Sequence, residues 1–382
     1  MAISSKLNIG MIKARGCLTI LTITIHEVDN PFRLYVMPLA REHHGVMQAV
    51  LGLAACHLSV SGSVTYRVDV AMEYRGSALN ALSSCLAKTE RCGLTTTEED
   101  AILAMILLLV LHDICESGMS TEAYHLTGVS HFCGRVAAAS ESSRRTDASM
   151  FFLSALAWLD VLRGFSGAEK LTYSEEVRRC VASNTSLQTG LHTLIGCPPI
   201  IFQHISNVIA VAKSHMEGQK SLTAFEMVLA DTEHWLRKLD LDKLNYPTAD
   251  PNWKHLAEAY RHACLLRVMR WPYTFSIPCH ADEIKQSVSA IFDACALVPM
   301  GSSFYKRLLS PLFMAAADTS VGHQMHYADL CIEKIKNSTG FRHAAMDTVL
   351  RNVREERKSN TKGWPNVPWM EFVSIYSDMC GY

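Results

Sequence analysis

The sequence has no paired cysteines, no glycine-rich phosphate loop, no apolar run of membrane length and no excess of either charge. Each absence closes off a class of function. Its 13 cysteines are scattered and odd in number; Cys85 and Cys92 are the closest two, and no C-x-x-C occurs. A zinc ribbon or a disulfide framework needs paired spacing, so the thiols read as reduced, buried and hydrophobe-like. Neither G-x-G-x-x-G nor a P-loop is present, and G-x-S-x-G is missing as well. That removes the usual signs of a dinucleotide fold, a phosphate cradle and a serine-hydrolase elbow. The longest apolar run, Ala101 to Leu111, falls short of the roughly 20 residues that cross a bilayer. Lys plus Arg (36) nearly equals Asp plus Glu (37), a net charge of −1. A chain that grips DNA by phosphate neutralisation carries a basic excess, and this one does not.

What is present is apolar and helical. Hydrophobic residues make up 49% of 382 and charged residues 19%, enough to bury a large core. Such a chain is expected to be soluble and intracellular. The spacing predicts an all-α fold, an irregular bundle of roughly ten helices, over residues 30–382. Residues 1–29 are read as a poorly defined, strand-prone amino-terminal arm. Asn30-Pro31 starts the helical signal as N-cap and first helical residue, and Pro38 predicts a kink or restart. Ser61-Gly62-Ser63 ends that segment, and a helix follows over 64–90. Thr96 with Glu99 reads as a capping box for a helix over 97–116 that is apolar nearly all round, hence central. Gly118 stops it, Ser120 caps a helix over 120–139, and Ser140 to Arg145 is a polar linker. Asp147 is read as the cap of a helix to Phe165, and 164–190 as a long loop and sub-boundary. Helical periodicity then returns over 199–217, 221–242, 251–270, 281–297, 302–319, 320–338 and 343–358.

The chemistry-bearing residues read as structural. His323 and His326, and His43-His44, lack the acid of a helical zinc pair. His112-Asp113 with Cys115 lacks an orienting partner in sequence. Glu98-Glu99 suits a helix start, while Glu175-Glu176 and Glu355-Glu356 read as solvated faces. Arg351, Arg354, Arg357 and Lys358 favour a helix C-terminus over a DNA-binding stripe. Trp235, Trp253, Trp271, Trp364 and Trp369 read as packing anchors. No catalytic, cofactor-binding or metal-binding residue is assigned, and no cofactor.

The order of certain segments carries more. Asn30-Pro31-Phe32-Arg33, Met37-Pro38-Leu39-Ala40 and Met47 to Leu58 open it. Leu107-Leu108-Leu109, Ala123 to Val129, Leu194-Ile195-Gly196-Cys197-Pro198 and Ser310-Pro311-Leu312-Phe313 follow, then Val349 to Arg357 and Gly363-Trp364. Together they resemble the regulatory domain of fungal binuclear zinc-cluster transcription factors, over residues 30–372. In the Ser310-Pro311-Leu312-Phe313 segment Ser310 stands where the family has Trp. The six-cysteine cluster that begins C-x-x-C-x6-C is not in this sequence, so direct DNA binding is carried over to no residue here. The resemblance implies a nuclear transcriptional regulator and no enzyme. It would act on a metabolic or secondary-metabolite gene set, through the transcription machinery or another DNA-binding regulator. A small-molecule effector and a homodimer fit the same picture, and no membrane is implied. The alternative is a helical domain reused as a small-molecule binder or an enzyme of secondary metabolism; the high apolar content, 17 methionines and aromatics would then line an interhelical pocket.

Overall fold

The computed structural model describes residues 30–60, 68–117, 123–139 and 146–373. The expected arm over 1–29, the Ser61-Gly62-Ser63 stop, Gly118, Ser120 and the Ser140–Arg145 linker lie outside the described residues. Among the described residues every regular element is helical. The all-α expectation holds, but the count of roughly ten was low. The described residues form fifteen α-helices: α1 Met37–Glu42, α2 His44–Val60, α3 Val68–Cys92, α4 Thr96–Ser117, α5 Ala123–Ala138, α6 Asp147–Ser166, α7 Glu175–Ala182, α8 Leu191–Ile195, α9 Pro199–Met216, α10 Leu222–Lys238, α11 Asn252–Arg270, α12 Asp282–Leu297, α13 Leu309–Asp318, α14 Gly322–Thr339 and α15 Ala344–Ser359. The surplus is made of short helices, which carry too few turns to show a period.

The segment 164–190 shows why. It is not a structureless loop. Asp160 of α6 accepts backbone N–H bonds from Thr172 at 3.0 Å and Tyr173 at 2.9 Å. Ser174 then caps α7 through the Val177 N–H. That helix buries Val177 and Val181 alone among its apolar side chains, a single i, i+4 pair.

Two caps differ by one residue from expectation. Thr95, not Thr96, exchanges hydrogen bonds with Glu98, its hydroxyl accepting from the Glu98 N–H at 3.3 Å. Glu99 instead pairs with Arg135 of α5 at 2.5 Å. Thr146, not Asp147, caps α6, in a capping box with Ser149. The opening read correctly: the Asn30 carboxamide accepts from the Phe32 N–H at 2.9 Å. Pro38 marks a restart, as expected: the π-helical turn Phe32–Val36 gives way to α1, which carries Pro38 in its first turn and ends at His43.

α4 is the central helix. Ala101 through Val110 are each no more than 2% exposed, as an all-round apolar helix requires. α2 approaches it closely through small residues. A Cβ on Gly45 would come within 2.6 Å of the Met105 sulfur and 2.7 Å of Ala81. α6 is long and apolar enough to cross a membrane by length and composition, but 72% of that stretch is buried in the fold. One connected apolar core runs from Phe32 to Trp369. The cysteines follow the expectation made for them: Cys56, Cys115, Cys133, Cys197, Cys264, Cys279, Cys295 and Cys331 are buried and unbridged.

Candidate functional site

Two arginines of α15, Arg354 and Arg357, are structural ties. Arg354 forms a two-pronged pair with Asp329 of α14, at 3.0 and 2.8 Å. Arg357 donates to the carbonyls of Thr319 and Ala317, both at 2.8 Å, and so closes the C-terminal end of α13. Lys336 of α14 reaches Asp347 of α15 at 2.7 Å. Arg354 and Arg357 are thus spent on docking α15, while Arg351 and Lys358 are exposed.

The other singled-out residues disperse. His323 and His326 are exposed on α14, His44 is exposed, and His43 is half-buried. His112 is buried, and its basicity is pushed down to about 4 by burial and then by the charge of Arg75. Asp113 pairs with Arg75 at 3.0 Å, and Cys115 is fully buried in the core. Glu98 is held at about 2, first by its hydrogen bond with Lys88. Glu175 and Glu176 are exposed in the first turn of α7. Of the tryptophans, Trp253 and Trp369 are buried. Trp235 stacks on His204 at 3.7 Å, Trp271 lies under Arg267 at 3.6 Å, and Trp364 packs on Phe275 at 4.5 Å. They anchor packing, as expected.

What the structure brings together instead is a cavity of ≈ 260 Å³. α4 and α6 form one wall with Leu107, Leu111, Phe151, Trp158 and Leu162. The opposite wall is Ile335 and Thr339 of α14, with Phe341 and His343 from the link to α15. Leu194, Ile195, Tyr260, Lys306, Arg307 and Ser310 complete the lining. Among the described residues its lining includes Phe32, Phe151, Trp158, Tyr260 and Phe341 but no methionine. The Tyr260 hydroxyl donates to the Arg307 carbonyl at 3.0 Å, with the Ile195 carbonyl 3.3 Å away. This fixes the 3-10 turn Tyr305–Leu308 against α8. Tyr260 also meets Trp158 edge-on at 5.5 Å. Burial keeps its phenol protonated.

The Thr339–His343 link is a bent strap. Gly340 has φ +72 and His343 φ +47, both left-handed. A Cβ on Gly340 would meet the His57 Nε2 at 2.4 Å. That same nitrogen lies 2.8 Å from the Thr339 carbonyl, and the His57 ring meets Phe341 edge-on. α2 therefore pins the wall that joins α14 to α15. His343 is buried neutral, its basicity pushed down to about 4 by burial and secondarily by Lys336.

The segments quoted for the family resemblance recur on this lining. Leu107, Leu194, Ile195 and Ser310 all face the cavity. The fungal specific transcription factor domain matches residues 16–380. This chain belongs to that family. No curated protein and no solved structure matches it. Lys306 and Arg307 were missed in the sequence. They sit in a segment, 302–319, whose helical period drew attention to its apolar members. The available signal was two adjacent cations in a stretch otherwise made of apolar and small residues.

Proposed function

We propose that this chain is the effector part of a nuclear transcriptional regulator that answers a small molecule. The observation that carries the reading is family membership over residues 16–380. The cavity supports the small-molecule part. A ligand shifts a two-state equilibrium only by binding one state better. Here the lining includes the strap that carries α15, and α15 is docked by polar ties that can exchange with water. A filled cavity would hold the strap against α4 and α6; an empty one would release it. The partner is the transcription machinery or another DNA-binding regulator, and the regulated genes a metabolic set. Family membership speaks for regulation and against catalysis, and gives no support to reuse as a metabolic enzyme.

The test is genome-wide transcript measurement in cells that lack the protein and in cells that overproduce it. A coherent gene set should change in opposite directions in the two strains. Transcripts indifferent to both changes would sink the proposal.

A further inference from the structure

We propose that the cavity holds an apolar organic acid as a monoanion, with its carboxylate beside Lys306 and Arg307 and its body against Leu107, Phe151, Trp158 and Phe341. The proposal deepens the regulatory reading above. It rests on that reading for its biological meaning and on the cavity alone for its chemistry.

Three observations lead to this class. First, the walls supplied by α4 and α6 are entirely apolar or aromatic, so most of the ligand must be too. Second, two cations line the same space, and no Asp or Glu does among the described residues. A cation beside an apolar wall is stabilised by an anion that brings its own apolar body. Third, the room is limited. A cavity of about 150 Å³ takes a benzene ring, so ≈ 260 Å³ admits a longer chain or a fused ring but no large cofactor.

The charges point the same way. Burial, then the charge of Arg307, pushes the Lys306 ammonium down to about 7. Arg307 is lowered by burial to about 10 and stays cationic. An arriving carboxylate restores the charged form of Lys306 and is answered by both groups. A polyphosphate fits poorly, because these two groups are the only Lys or Arg among the described lining residues. Thr339 and Ser310 add hydroxyls on the same lining. Ser310 is the small position: a large ring there would occupy the ligand's space.

The test is calorimetric titration of the full chain with decanoate, and with 1-decanol and decylamine as bodies of the same length. Decanoate should bind at one site, about tenfold tighter than decanol, as a charge-assisted contact implies. Decylamine should be the weakest. The double variant Lys306→Met, Arg307→Met should bind decanoate and decanol equally. Ser310→Trp should abolish both while keeping a wild-type thermal melt. If the double variant does not fold, Lys306→Gln alone should still narrow the decanoate preference. Equal binding of decanoate and decanol by the wild-type chain, no binding of decanoate, or full binding by folded Ser310→Trp would each overturn the proposal. A reporter driven by the chain fused to a foreign DNA-binding domain separates the two readings. Changed output without decanoate binding removes the ligand class and keeps the regulator. Binding without changed output does the reverse.

Discussion

α4 and α15 are both amphipathic-length helices packed on the same core, yet they are held by different forces. α4 has ten consecutive residues, Ala101 to Val110, at no more than 2% exposure. α15 buries Val349, Leu350 and Val353 and otherwise depends on Arg354, Arg357 and the Lys336–Asp347 pair. Apolar burial of that extent is non-directional and lost only with the whole fold. Polar ties at a half-exposed surface exchange with water one at a time. The first region is held by apolar burial on every side, the second by a narrow apolar stripe and polar ties. α4 lines the cavity directly, while α15 reaches it only through the Phe341–His343 link that precedes it.

That contrast can be broken from the α4 side. Leu108 is fully buried, and Leu108→Ala should cost about 2–5 kcal/mol through lost transfer energy and a cavity. Denaturant melts followed by circular dichroism should show one cooperative transition, shifted to lower midpoint. A two-step transition would mean that α4 does not organise the whole.

Acid should act on the buried histidines next. His112, His192 and His343 are each lowered to about 4 by burial, against an ordinary 6.5. The unfolded chain therefore takes up protons as pH falls through 6.5 while the folded chain does not, so stability falls between pH 6.5 and 4. Each group can remove about 2 kcal/mol between pH 6.5 and 5. Asp100, raised to about 6 by burial, works in the opposite direction below pH 6 and offsets part of one histidine. Thermal melts at pH 7 and 5 should show the loss, and His343→Phe should reduce it. An unchanged midpoint would contradict the buried neutral state.

The α15 side gives smaller effects. Gly340→Ala puts a Cβ into His57 and a side chain at φ +72, a cost of about 1–2 kcal/mol. Arg357→Ala leaves the Thr319 and Ala317 carbonyls without their donor, about 1–3 kcal/mol locally. Amide exchange should then quicken in α15 and not in α4. Arg354→Ala removes a pair 23% and 49% exposed, worth under about 1 kcal/mol and screened by salt. Equal quickening in α4 and α15 would erase the distinction drawn here.

The two regions also differ in how far the sequence revealed them. The all-round apolar pattern of 101–111 placed α4 at the centre correctly, because burial on every side leaves a compositional mark. Most helix borders after residue 199 were legible from prolines and caps, but the helix expected from 302 begins at Leu309 and the one expected to reach 242 ends at Lys238. Short elements were not: α7 and α8 carry too few turns for a period, and Thr95 and Thr96 both satisfy the capping pattern with an acid three residues on. The site was the least visible. Its cations come from one 3-10 turn and its far wall from a strap made by Gly340 and His343, and only the tertiary fold sets them opposite Phe151 and Trp158. The basic residues that did stand out, Arg354 and Arg357, turned out to be docking ties.

The most direct measurement is reporter transcription driven by residues 1–382 fused to a foreign DNA-binding domain, with wild-type, Arg357→Ala and Ser310→Trp chains side by side. The expected result is a several-fold change in output for wild type over the DNA-binding domain alone, altered in both variants at equal protein level. Output identical to the DNA-binding domain alone for all three chains would contradict the account.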